Sequence, residues 1–134
     1  MRGDPLHNFM APEVQGIADR FCDFTSLECR FRKNGVTTFF DVFARRGAIS
    51  LAFEIETTSR HAVDNAQKAC AVGVPMWIVV PRRRLRRKLF RQLDSLELRP
   101  GNEPIKILLL GQVEQELTNY LSLFIPANRE RGKE

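Results

Sequence analysis

Three carboxylates in the first half of the chain fall on strand-like segments at spacings that could bring them together. Asp41 lies in Val36–Ala44, and Glu54 and Glu56 lie in Ala48–Thr57. Side chains alternate faces along a strand, so Glu54 and Glu56 project together while Phe53 and Ile55 go the other way. The flanking Phe39, Phe40, Val42 and Phe43 call for burial. A buried carboxylate is costly unless its charge is compensated. Oxygen ligands of this kind suit a hard divalent cation, Mg²⁺ or Mn²⁺. Such an ion makes a bound water nucleophilic and neutralises a scissile oxyanion, which is what phosphodiester cleavage requires. Asp41 and Glu54 are the expected ligands. Glu56 is either a third ligand or the general base that takes a proton from the attacking water. Lys68, on a later helix, could stabilise transition-state charge if that helix faces the acids.

The second chemical signal is positive. Arg82, Arg83, Arg84, Arg86, Arg87, Lys88 and Arg91 put seven cations in ten residues with no acid between them. The whole chain carries only +5, so everything outside this segment sums to −2. A mildly acidic protein with one concentrated cationic segment is expected to bind phosphates locally rather than to be generally basic. Like charges at i,i+4 destabilise a helix unless a polyanion relieves them. Contacts of this sort position a nucleic acid without reading its sequence. RNA, acidic lipid or a protein partner are alternative ligands.

The bulk composition bounds the rest. At 134 residues, 43% hydrophobic and 28% charged, the chain has the size and balance of one globular domain. No apolar run reaches the ~20 residues needed to span a bilayer. Cys22, Cys29 and Cys70 are odd in number and form no C-x-x-C pair. Together with the lack of an apolar stretch after Met1–Pro5, this sets a reducing, cytoplasmic location as the expectation.

The elements that must position these groups follow from periodicity. Val14, Ile17, Ala18 and Phe21 predict a helix from about Asn8 to Cys22, with Pro12 in its first turn. Phe24–Arg32 alternates as a strand, and Asn34-Gly35 is a hairpin signal leading into the Asp41 strand. Arg45-Arg46-Gly47 is expected to turn the chain into the Glu54 strand. With Arg46-Gly47 as a two-residue loop, Asp41 would stand opposite Ala52 and diagonal to Glu54, and all three acids would share a face. Thr58 or Ser59 is expected to cap a helix ending at Val72, before Gly73. Along it, Ala62, Val63, Ala66, Ala69 and Cys70 form a stripe of small residues, with His61, Asp64 and Lys68 on the polar side. Pro75–Pro81 reads as a strand buried on both faces. The cationic segment predicts a helix with Leu85, Leu89, Leu93 and Leu96 inward. A strand at Ile105–Leu110 and a helix at Gln112–Phe124 complete the domain, residues 1–125. Residues 126–134 form a polar tail expected to fray. Trp77 and Tyr120 are expected in the core. The fold class is α/β: a three-layer sandwich around a mixed sheet.

With Asp41 on the second strand, Glu54-Ile55-Glu56 on the third and the order helix–meander–helix–strand, residues 8–81 resemble the PD-(D/E)XK nuclease superfamily. The resemblance implies a restriction-endonuclease-like fold with an α-β-β-β-α-β core. It also implies a Mg²⁺ or Mn²⁺ site at Asp41 and Glu54, near the carbonyl of Ile55. Glu13 matches an accessory acid of the first helix, and Gln67 and Lys68 occupy the helix where some members carry a supporting Gln or relocated Lys. Glu56 replaces the commoner Lys, and Phe40 replaces the Pro that often precedes the Asp. The expected function is a divalent-metal-dependent DNA endonuclease of a mobile-element, restriction or resolvase system. It would act as a homodimer or with a partner supplying specificity. The alternative is a catalytically silent nuclease-like module that binds nucleic acid. A nucleotide-binding α/β domain is disfavoured by the lack of a glycine-rich strand-to-helix loop.

Overall fold

The chain begins its regular structure earlier than the apolar spacing alone implies. Asp4 has extended backbone angles and its carboxylate accepts from the Leu6 N–H at 2.9 Å, while Pro5 occupies the first helical position. This pair is a strong start signal, because the proline has no N–H to leave unsatisfied and its φ is already helical. Helix α1 therefore spans Pro5–Asp19. Pro12 lies inside it rather than in its first turn, with its ring exposed. The cost is one lost backbone bond, about 3 kcal/mol in a free helix, met here by the burial of Met10, Ala11, Val14 and Ala18.

The computed structural model describes residues 4–124. Strands β1 (Phe24–Lys33), β2 (Val36–Arg46) and β3 (Ile49–Ile55) form an antiparallel meander. Helix α2 (Ala62–Val72) leads to strand β4 (Met76–Val80), helix α3 (Arg83–Asp94), strand β5 (Lys106–Leu109) and helix α4 (Val113–Ser122). The sheet order is β1-β2-β3-β4-β5, with β4 parallel to both β3 and β5. Among the described residues the fold is thus a five-stranded mixed sheet with four helices, the α/β sandwich expected. The polar tail expected over 126–134 lies outside the described residues. No helix among the described residues is long and apolar enough to cross a membrane.

Two hydrophobic clusters define the layers. Val14 and Ala18 of α1 and Val113, Leu117 and Leu121 of α4 pack on Val42, Phe53, Ile55, Trp77 and Val79. On the other face, Ala62, Ala66 and Ala69 of α2 and Leu85, Leu89 and Leu93 of α3 pack on Phe43, Ala52, Ile78 and Val80. Residues 76–80 are buried throughout because β4 is covered on both sides. Trp77 and Tyr120 are core residues, as expected, stacked edge to face at 5.3 Å. Leu96, expected inward, lies past the end of α3 and is exposed. Cys22, Cys29 and Cys70 are free thiols, each pushed above the usual thiol range by burial.

The turns differ in detail from expectation. Asn34 and Gly35 both have positive φ, 54° and 76°, the mirror-image turn that suits the strand twist. Between β2 and β3 the two loop residues are Gly47 and Ala48, not Arg46 and Gly47. The register moves by one rung pair, so Ala52 opposes Phe43 and Asp41 comes level with Glu54. Helix α2 starts at Ala62, three residues after the expected cap. Thr58 instead accepts the Arg60 N–H within the preceding loop, and no side chain caps α2.

Two outcomes follow. Leu89 is fully buried, so Leu89→Ala should cost about 2–5 kcal/mol in chemical denaturation. Asp4 has its carboxyl held below the usual carboxylate range, first by the Thr57 hydroxyl. A depressed acid contributes stability that is present above its unfolded pKa and lost as pH falls through its folded one. Asp4→Asn should therefore lower Tm near pH 7, and the difference from the wild type should vanish as pH falls through the folded pKa of Asp4.

Candidate active site

The β2–β3 ladder stops at Val42–Phe53. At the next rung side chains replace the backbone pairing. Glu54 Oε2 accepts from the Asp41 N–H at 2.9 Å, and Asp41 Oδ2 accepts from the Ile55 N–H at 2.8 Å. Each carboxylate is held by the opposite strand's amide, which offsets part of its desolvation. Asp41, Glu54 and Glu56 are all buried, at 2%, 3% and 5% exposure. This burial is what the flanking apolar residues called for.

The three acids do not rise from one face of the sheet as expected. Glu54 and Glu56 share a face with Ala52, toward α2 and α3. In β2 the alternation breaks at Asp41, since Phe40 and Phe43 both pack into the α2–α3 layer. In the opposing strand Glu28 stands level with Asp41 and has φ 51°, an unusual angle for this residue type. The Asp41 carboxylate accepts from the Ile55 N–H of β3 and lies 3.1 Å from His7 of α1. The acids meet at the parting of two strands, not on a flat surface.

Both helical layers reach this point. From α1, His7 Nε2 lies 3.1 Å from Asp41 Oδ2, and the ring is only 7% exposed. The contact is too poorly aligned for a hydrogen bond, and neither ring nitrogen makes one. An unsatisfied buried imidazole is costly and calls for an explanation. Asp4, at the start of the same helix, accepts from the Thr57 hydroxyl just beyond β3. From α2, Asn65 donates to Glu56 Oε2 at 2.8 Å, while the Glu56 N–H pairs with the Val79 carbonyl.

Other expected site residues stand elsewhere. Glu13 is exposed and roughly 120° around the axis of α1 from His7. Lys68 is paired with Asp64 at 3.1 Å on the surface of α2, and Gln67 is exposed. The small-residue stripe of α2 sits on the sheet, and this turns both away from the acids. The signals for the missed residues were positional. His7 heads the buried series 7, 10, 11, 14 and 18 of α1, and half-buried Asn65 borders the buried series 62, 66, 69 and 72 of α2. Each is a polar residue at or beside a core-facing position.

The cationic segment forms α3 as expected, with Leu85, Leu89 and Leu93 inward. Arg82, Arg83, Arg84, Arg87, Lys88 and Arg91 are exposed. Arg86 differs: it is half-buried and its Nε donates to the Ile107 carbonyl at 2.7 Å, tying α3 to β5. Because β3 and β4 are parallel, the start of α3 lies beside the end of β3. A shallow groove of about 260 Å³ runs there, lined by Thr57, Thr58, Ser59, Arg82, Arg84 and Lys88. The Arg82 guanidinium reaches the Thr57 carbonyl at 3.5 Å across it.

Asp41, Glu54, Glu56 and His7 are the residues here whose donor atoms could hold a cation. Among the described residues, no three His, Cys, Asp or Glu side chains form a ready-made cage for a metal. The donor set nevertheless fits a divalent ion in kind, with hard carboxylate oxygens beside an imidazole lacking a hydrogen-bond partner.

No family model matches the chain, and no curated protein does. Among solved structures it is similar to the crystal structure of protein VC1899 from Vibrio cholerae, with a TM-score of 0.54 and 16% sequence identity. The match covers 89% of this chain and 33% of that one, so the chain spans about a third of its length. At this identity the likeness concerns the fold alone.

Proposed function

We propose that this chain is a divalent-metal-dependent endonuclease that hydrolyses phosphodiester bonds in DNA, built on a restriction-endonuclease-like sandwich. The observation that carries this reading is the pairing of buried Asp41 and Glu54 where β2 and β3 part, beside the cationic start of α3.

In this reading Asp41 and Glu54 hold Mg²⁺ or Mn²⁺, with His7 and Glu56 adjoining. Held there, such an ion would supply an activated water and offset charge developing on the scissile phosphate. The chain's own residues do the rest. Asn65 donates to Glu56 Oε2, and Glu56 would take the proton from the attacking water. Thr57, Thr58 and Ser59 line the groove, and Arg82, Arg84 and Lys88, which line it too, would contact the substrate's phosphates. Arg83, Arg87 and Arg91 extend the cationic surface along the exposed side of α3. A homodimer, or a partner protein, would supply the specificity that so small a chain lacks.

The second reading is a silent nuclease-like module that binds nucleic acid. The pairing of Lys68 with Asp64 and the engagement of Glu56 by Asn65 favour it, since Lys68 is turned away from the acids.

Nicking of supercoiled and branched DNA with Mg²⁺ and with Mn²⁺ decides between them. For the enzyme, Asp41→Asn and Glu54→Gln should each reduce the rate by at least about 100-fold and weaken Mn²⁺ binding in calorimetry. Binding of DNA without any cleavage by the wild type would favour the silent module. In either case Arg87→Ala and Lys88→Ala should each reduce the slope of log K against log salt by about 0.7–0.9.

A further inference from the structure

The surface of α3 carries one large residue that its charge pattern does not explain. Phe90 is 59% exposed on the most cationic helix of the molecule. Arg87 precedes it by three residues and Asp94 follows by four, so both are its neighbours on the helix surface. Phe90 also lines a groove of about 360 Å³ between the end of α3 and β5. The groove has apolar walls from Leu93, Leu98, Ile105 and Ile107, with Asp94, Glu97 and Arg99 as its charged groups. Its size and lining suit a small planar group with a polar edge.

The two sides of this helix demand different chemistry. The exposed crest of Arg83, Arg87 and Arg91 attracts phosphates. The groove carries two carboxylates against one arginine, and carboxylates accept well from the amino groups of cytosine, adenine and guanine. A polyanion that also bears flat apolar rings with N–H edges matches both sides. Paired duplex bases hide their faces by stacking, so a lone phenylalanine cannot reach them. Unpaired bases expose theirs, and aromatic side chains beside a cationic track are the usual platform for them.

We infer that α3 and the Phe90 groove bind single-stranded nucleic acid, with the backbone on the arginine crest and an amino-bearing base against Phe90. This rests on the reading of α3 as a phosphate-binding helix and narrows its substrate to unpaired strands, or to unpaired tails of a duplex. Phe90 lies seven residues beyond Arg83, roughly 10 Å along the axis.

The test is fluorescence anisotropy of the full chain with labelled 12-mers in EDTA, so that cleavage plays no part. Oligo-dC and oligo-dA should bind at least about tenfold more tightly than a 12-base-pair duplex, and more tightly than oligo-dT. Phe90→Ala should lower single-strand affinity by about tenfold or more and leave duplex affinity unchanged, while Phe90→Tyr restores it. Glu97→Gln with Asp94→Asn should narrow the preference for oligo-dC over oligo-dT. Thermal unfolding of each variant checks the fold, which an exposed position should leave intact. Equal affinity for single strand and duplex, or no effect of Phe90→Ala, would overturn the inference even if plasmid nicking is observed. Light scattering that shows a dimer lost in Phe90→Ala would overturn it too, because a second copy would then cover the groove. Phe90-dependent single-strand binding without nicking would uphold it and remove the endonuclease reading.

Discussion

The candidate site depends on one exchange of hydrogen bonds. At the rung after Val42–Phe53, Asp41 and Glu54 each bond the backbone amide of the other's strand. This ends the β2–β3 ladder without leaving buried amides unpaired. It also lets two carboxylates lie side by side in a place that water barely reaches. Were the ladder to continue, both acids would need other donors in an apolar interior. The parting of the strands and the burial of the acids are thus one structural event.

The helices are fastened to that event from both faces. Helix α1 brings His7 against Asp41 and ties Asp4 to Thr57, so its first turn closes one side. Helix α2 brings Asn65 to Glu56 on the other. Its alanine stripe lets it approach the sheet closely enough for so short a side chain to reach. Helix α3 contributes charge from its solvent side and leucines from its inner side. One amphipathic segment therefore both completes the core and builds the cationic surface.

Most elements were legible from local signals. The Asn34-Gly35 turn, the doubly buried β4 and the leucine series of α3 each follow from a rule that concerns neighbours in the chain. The start of α1 was legible too, but in Asp4-Pro5 rather than in the apolar spacing that pointed to Asn8. The β2–β3 turn was displaced by one residue because Gly47 satisfies a tight turn in either loop position. That displacement puts Asp41 level with Glu54 instead of diagonal to it. The break in alternation at Asp41 had no local signal. It involves Glu28 on another strand and the carboxylates themselves.

The sequence by itself determined the order of elements, the alternation that pairs Glu54 with Glu56, and the concentration of charge on one helix. These are properties of spacing along one chain segment, and the backbone's two periodicities express them directly. Only the tertiary structure decided which helix residues meet the acids. Glu13, Gln67 and Lys68 have suitable chemistry but face away, while His7 and Asn65 face inward. The reason is rotational. An apolar stripe sets how a helix sits on the sheet, and that orientation carries every other side chain with it, whatever its charge.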